Sequence, residues 1–447
     1  MKNRLGLLRL GIFSTLLLII VFVLSASAYA EDLKYSLKAK ANVQGIYYEN
    51  KRLASDNTVD YSYIEMDVQL KPKITYENTS LNMFISVHDE TWKDPTLIDV
   101  VTDINDDGTY DTTTLRSPVD DDENVKFEQI WIEHKFSEKI CLEAGLMPAN
   151  TWGTDFNDKP LSYSDDEDER YKLQLTYGLS TSLPVELHAA YEKLGENGSD
   201  RREDAEKDDG DAFELGATIS AGNITIQPMV HYENRSDADL NQSDDGYTRT
   251  AFYLALSGSF DNIGFEAELV SDRYAFDDYV GAPHDDFSLL GYYANVWTKL
   301  NGITVGALYA YGSFDEDEQV GLDLGDDFDS TYLLGDGIRW GRATSDSACG
   351  DSEDLYGMSV AKIYAEQKFL DKKLTIKPEF AYVMSNQKDN FLEDATAWEF
   401  DLFGAYKISK KLTYYGYAGY ADVSYDVAGV EDPEPAYKLA HKLEFKF

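Results

Sequence analysis

The sequence predicts an all-β protein, a transmembrane antiparallel β-barrel of about eighteen strands, with sixteen the alternative because single-chain spanning barrels carry even strand numbers. Three observations predict it. The chain opens on an export signal, apolar and charged side chains alternate in stretch after stretch, and short turns alternate with long acidic loops.

The export signal occupies residues 1–30. Lys2, Arg4 and Arg9 form a basic start, "GIFSTLLLIIVFVL" (11–24) an apolar stretch, and Ala28-Tyr29-Ala30 an A-x-A cleavage site. The apolar stretch is short for a membrane-spanning helix. The mature chain is therefore expected to run from Glu31 to Phe447 outside the cytoplasm, as one barrel domain, 31–447.

The alternation has a period of two. "YSYIEMDVQLK" sets Ile64, Met66, Val68 and Leu70 against Glu65, Asp67 and Lys71. "IGFEAELVSD" sets Ile263, Phe265 and Leu269 against Glu266, Glu268 and Asp272. "KLTIKPEFAY" opposes Leu374, Ile376, Phe380 and Tyr382 to Lys377 and Glu379. "TAWEFDLFGAYKIS" opposes Trp398, Phe400, Leu402 and Tyr406 to Glu399, Asp401 and Lys407. A strand turns successive side chains to opposite faces, so each stretch has one apolar and one charged face. A helix would need apolar residues every three or four positions. In a spanning barrel the apolar face meets lipid and the charged face lines water. On that reading Glu65, Asp67, Lys71, Glu266, Glu268, Lys377, Glu379, Glu399, Asp401 and Lys407 belong to the pore wall, with Lys126 and Lys172 sharing the inward parity.

Short connections such as "DN" (261–262), "NG" (301–302) and "DKK" (371–373) alternate with long ones such as 92–123, 148–168 and 313–354. Tyr and Trp recur near strand ends, as in "YYEN" (47–50) and "NVWTKL" (295–300), which suits an aromatic girdle at the membrane interfaces. The 82 acidic against 40 basic residues, a formal charge of −42, repel phosphate backbones and exclude nucleic acid as a partner. The 13% aromatic and 43% hydrophobic content argues against disorder.

The last stretch, "YKLAHKLEFKF", puts Tyr437, Leu439, Leu443, Phe445 and the terminal Phe447 on one face. A final strand ending on phenylalanine resembles the assembly signal of Gram-negative outer-membrane proteins, and the chain as a whole resembles the general porins. That resemblance implies a bacterial outer-membrane location, periplasmic short turns and extracellular long loops. It implies surrounding outer-membrane lipid, the barrel assembly machinery as reader of Phe447, and a homotrimer. It also implies that the loop after the fifth strand, 148–168, folds inward as a constriction. Trp152, Phe156 and Tyr163 would then pack that loop on the wall, while Asp155, Asp158, Asp165 and Asp166 would face the passage. Carboxylates at a narrow point attract cations.

"DINDDGTYD" (103–111) carries calcium-loop spacing: Asp103, Asn105 and Asp107, the Thr109 carbonyl, and Asp111, with Gly108 at the turn. Position twelve is Thr114 instead of Glu, so the bidentate ligand is missing. Calcium is the one cofactor suggested, as a brace for an extracellular loop, and none is required. In the 313–354 loop, Arg339, Trp340 and Arg342 are expected to salt-bridge to neighbouring carboxylates and pin the loop over the mouth, or to touch an anionic lipid sugar or solute. Cys141 and Cys349 are expected to lie far apart, without a disulfide.

The expected function is a water-filled channel for passive diffusion of small hydrophilic solutes and ions, with modest cation preference. Two alternatives stand beside it. One is a solute-specific channel, for which Tyr415 and Tyr417 on the lumen side suggest sugar; the other is a non-conducting surface or scaffold barrel. An enzyme is not expected: His88, His134, His188, His231, His284 and His441 are scattered and fall in no recognisable catalytic motif.

Overall fold

The computed structural model describes residues 33–49, 61–93, 97–104, 110–116, 126–148, 153, 169–179, 183–196, 209–235, 247–276, 286–322, 324, 330–335, 355–388, 392–425 and 432–447. The export signal lies outside them.

Strands are numbered in chain order. The first three are β1 (Leu33–Glu49), β2 (Tyr61–Tyr76) and β3 (Thr79–Lys93). A separate ribbon follows, β4 (Leu97–Ile104) with β5 (Tyr110–Arg116). Next come β6 (Lys126–Ser137), β7 (Ile140–Pro148), β8 (Glu169–Leu179), β9 (Val185–Glu196) and β10 (Asp209–Ala221). They are followed by β11 (Ile224–Arg235), β12 (Tyr247–Phe260), β13 (Ile263–Phe276), β14 (Phe287–Leu300) and β15 (Ile303–Gly312). A second, two-residue ribbon joins β16 (Phe314–Asp315) to β17 (Val320–Gly321). The last five are β18 (Met358–Phe369), β19 (Leu374–Ser385), β20 (Thr396–Lys407), β21 (Leu412–Ser424) and β22 (Ala436–Lys446).

Leaving out the two ribbons, each strand pairs antiparallel with the next, and β22 returns to β1, so the 18-stranded sheet has no free edge. Closure matters because an open edge would leave unpaired N–H and C=O groups in hydrocarbon. Ala41 faces Phe445 across the seam, and two backbone hydrogen bonds (2.8 and 3.0 Å) tie Phe447 to Ala39.

Burial runs opposite to that of a water-soluble protein. On β10, Phe213 and Leu215 are 51% and 64% exposed, while Ala212 and Glu214 are 0% and 4% exposed. On β20, Phe400 and Leu402 are exposed, and Glu399 and Asp401 are fully buried. The outward face is an apolar surface that requires a lipid solvent; the charged face points into the barrel.

Eight connections are short and share the rim that holds both described ends of the chain. At 301–302, Asn301 (φ 51°) and Gly302 (φ 86°) turn β14 into β15. Positive φ at both central residues matches the right-handed twist of the paired strands, and Asn-Gly tolerates it. The other nine connections are long and leave and rejoin the sheet at the opposite rim.

The connection after β3 differs from the loop expected over 92–123: β3 itself runs to Lys93, and β4 and β5 form a ribbon beyond it. The β-branched Ile, Val and Thr of Leu97–Ile104 and Tyr110–Arg116 favour extended pairing, a local β-propensity that the acidic composition obscures. Asp103 and Asp111 stand opposite each other at its tip. Asn105, Asp107 and Thr109 lie outside the described residues.

Candidate functional site

The site is built where the longest connection, 313–357, meets the inner face of the barrel. From Gly312 the chain forms the β16–β17 ribbon, in which Asp315 accepts from the backbone N–H groups of Asp317 (3.2 Å) and Glu318 (3.1 Å). Leu322 then lies over Gly291 of β14, where a Cβ would collide with its side chain. Further along, Leu324, Leu333, Leu334 and Leu355 are fully buried. They join a cluster with Met229, Tyr253, Val270 and Tyr293 from β11–β14, and with Val360, Val383, Ala421 and Val423 from β18–β21. All of these wall residues have inward parity. The 330–335 segment is therefore a strap inside the barrel, and not a cover over its mouth. The sequence signal is "STYLLG", an apolar run inside an acidic loop: Leu333 and Leu334 gain from burial what the flanking aspartates would lose.

One carboxylate holds this strap. The backbone N–H groups of Tyr332 and Leu333 donate to Glu399 Oε1 (2.6 and 2.8 Å), and that of Leu334 donates to Oε2 (2.8 Å). Three successive N–H groups turned to one anion make a backbone nest. A hydrogen bond to a charged acceptor contributes about 1.5–3 kcal/mol, so this grip is strong for so short a segment. Lys438 Nζ donates to the Tyr332 carbonyl (3.3 Å) and lies 4.0 Å from the Tyr332 ring centroid. The Tyr332 ring stacks on Tyr417 (5.7 Å) and meets Phe403 edge-on (5.2 Å). Tyr415 continues the aromatic row 6.2 Å from Tyr417, its ring nearly parallel to that of Tyr417. Lys442 stands 5.3 Å from the Tyr415 ring.

Charge is denser elsewhere on the wall. Lys172 bridges Glu192 (2.7 Å) and Glu214 (3.1 Å), all three fully or almost fully buried. His231 lies between Glu214 (3.6 Å) and Glu233 (3.5 Å). Arg249 binds Asp272 (2.6 Å) and the Tyr253 hydroxyl (3.1 Å). These pairs line up across β8–β13 because neighbouring inward positions face each other in the antiparallel register. Towards the short-turn rim, Glu133 binds Lys73 (3.1 Å) and Lys135 (3.2 Å), and Glu143 accepts from Trp131 and Gln174. Among the described buried residues, nine carboxylates stand with three lysines. The wall is acidic even where it is paired.

The wall residues singled out in the sequence are placed as follows. Glu399, Asp401, Glu379 and Glu268 are buried on the inner face. Glu379 binds Lys377 and Lys362, the latter at 3.6 Å. Glu65, Asp67 and Glu266 are half-buried with the same parity, and Asn42 donates to Asp67 (3.3 Å). Lys71 is exposed 4.4 Å from the Phe84 ring, and Lys407 is exposed at the short-turn end of β20. Lys126 pairs with Glu128 on its own strand (2.6 Å). The set does not converge on one point; only Glu399 and Asp401 underlie the strap. Trp152, Asp155, Phe156, Asp158, Tyr163, Asp165 and Asp166, the expected constriction, lie outside the described residues, as do Arg339, Trp340, Arg342 and Cys349. Cys141 is a free thiol. No cluster of metal-binding side chains occurs among the described residues.

No family model matches this sequence, and no curated protein matches it. Solved structures do. OccK2 (OpdF) of Pseudomonas aeruginosa, in complex with glucuronate, is similar at a TM-score of 0.53 and 10% identity, covering 92% of this chain and 98% of that one. OpdK of the same organism, with vanillate, gives 0.51 and 11% over 92% and 98%. OccAB2 of Acinetobacter baumannii gives 0.51 and 12% over 92% and 98%. The likeness covers nearly the whole length of both chains. The shared feature is the fold: a closed antiparallel barrel of eighteen strands with an outward apolar face, the same architecture as these outer-membrane channels.

Proposed function

We propose that this barrel is a solute-selective channel of the bacterial outer membrane, not a general diffusion pore. The observation that carries the reading is the strap on Glu399, which puts apolar and aromatic side chains inside the lumen where a general pore holds water. Two of the similar structures contain a small organic solute, glucuronate and vanillate. Both are anions, and the acid excess on this wall disfavours anions. The solutes that fit are small, hydrophilic and cationic or neutral, with the row Phe403, Tyr332, Tyr417 and Tyr415 as a surface for a sugar or other flat ring. Cation preference is retained from the sequence, now resting on the wall carboxylates. Calcium at 103–111, inward folding of 148–168, trimer formation and reading of Phe447 by the assembly machinery are carried forward as parts of the same proposal.

Uptake into proteoliposomes tests it. With arginine, a neutral hexose and glucuronate at equal concentration, arginine or the hexose is expected to enter at least about tenfold faster than glucuronate, a difference of about 1.4 kcal/mol in barrier. Equal rates for all three would return the barrel to the general-pore class. Entry of none of them would favour a scaffold barrel, the reading that the complete burial of Leu333 and Leu334 also fits.

A further inference from the structure

The acid excess of this chain has a local exception at the short-turn end of β22, β1 and β2, on the face that points into the barrel. Alternate positions of "LKYSLKAK" (33–40) put Lys34, Lys38 and Lys40 on that face, opposite the exposed Tyr35 and Leu37. The antiparallel register then sets Lys38 directly across from Lys71 of β2, and Lys40 directly across from Lys446 of β22. Facing residues have Cβ atoms about 5 Å apart, and like charges so placed repel. Two such pairs stand side by side in a chain of 82 acidic and 40 basic residues.

Three carboxylates border the patch, and each has other partners. Glu444 binds Lys446 (2.9 Å) and accepts from the Tyr415 hydroxyl (3.1 Å). Glu133 binds Lys73 (3.1 Å) and Lys135 (3.2 Å), and Asp67 accepts from Asn42 (3.3 Å). Lys38 and Lys40 meet no carboxylate or other acceptor among the described residues, and Lys71 has only the face of the Phe84 ring, 4.4 Å from its ammonium. Asn82 of β3, which faces Lys73 in register, adds an orphan of another kind: the residue is 7% exposed, and its Nδ2 finds no acceptor among the described residues. Donors without acceptors thus gather on one stretch of wall.

The acceptor that fits carries more than one negative charge. A chloride neutralises one ammonium and leaves the facing one repelled. An oxyanion with two or more charges reaches both members of a pair, and its separate oxygens take charge-assisted hydrogen bonds from separate donors. We propose that Lys38, Lys40 and Lys71 form a binding site for a small multivalent oxyanion, at the mouth of the barrel on the short-turn rim. Lys38 and Lys71 are exposed there, so the anion arrives from the short-turn side without passing the buried carboxylates beside the strap. The site goes beyond the channel reading and does not depend on it.

Isothermal titration of the refolded full-length barrel in a non-ionic detergent, with inorganic pyrophosphate as the probe and sodium chloride of equal ionic strength as the control, tests the site. The parent is expected to bind a single pyrophosphate, and Lys38→Gln/Lys71→Gln to bind it at least about tenfold more weakly, a loss of about 1.4 kcal/mol. Lys372→Gln/Lys373→Gln removes the same charge from the turn between β18 and β19 and is expected to leave the affinity unchanged. Urea midpoints guard against a folding defect. Without pyrophosphate, Lys38→Gln is expected to unfold at a higher urea concentration than the parent, because a facing like charge is gone. Pyrophosphate is expected to raise the midpoint of the parent and not that of Lys38→Gln/Lys71→Gln. No binding to the parent, equal affinity in parent and Lys38→Gln/Lys71→Gln, or an equal loss in the turn variant overturns the site. Binding as expected in barrels that never conduct leaves the site standing and overturns the channel reading alone.

Discussion

At the residue scale, ionisable groups in this barrel are buried in partnerships, and the partnerships differ in kind. Lys172 is the clearest structural one: its ammonium lies between Glu192 and Glu214, and all three side chains are shut off from solvent. Removing one member of such a cluster leaves uncompensated buried charge, which costs about 3–5 kcal/mol. Lys172→Met is therefore expected to lower the urea midpoint of the folded barrel clearly, while Lys172→Arg retains most of the stability. A midpoint for Lys172→Met within error of the parent would show that the two glutamates find other partners. Glu399 belongs to a different kind, because its donors come from the backbone of a distant segment. No residue-level reading of the sequence marks that role: parity placed Glu399 on the inner wall, but parity carries no information about which loop comes to it.

At the scale of elements, strand pattern and turns were legible because they depend on local physics. Period-two alternation sets the faces, and Asn301-Gly302 sets a tight turn, without any long-range contact. The ribbon β4–β5 and the strap were less legible. The first is a β-prone stretch hidden among aspartates, and the second an apolar run whose destination is a lumen that exists only once the sheet has closed. The terminal strand illustrates the legible side. Phe447 directly follows β22, exchanges two backbone hydrogen bonds with Ala39 of β1, and lies 5.3 Å ring to ring from Phe445. Deleting Phe447 shortens the seam that closes the barrel. The deletion is expected to cut the yield of heat-modifiable barrel several-fold in cells, and Phe447→Tyr to restore most of it. Equal yields for the deletion and the parent would show that neither closure nor assembly depends on this residue.

At the scale of the whole molecule, closure of eighteen strands creates a lumen wide enough for an aqueous passage, and the strap takes up part of it. Exposed apolar surface outside and buried carboxylates inside are consequences of one fact, that the solvent around the barrel is lipid. The sequence carries the acid excess plainly, but its expectation of a general pore did not include a strap in the lumen. That difference moves the reading from size-limited diffusion to selection by the lining. On the proposed reading, the acid excess sets the sign of the selection, because carboxylates outnumber lysines among the described buried groups.

The reversal potential of the refolded, strap-bearing barrel in a planar bilayer under a tenfold KCl gradient tests this most directly. A passage lined by these carboxylates is predicted to reverse at the potential of a K⁺-preferring channel. Reversal at or beyond zero on the chloride side would contradict an acidic selective lumen.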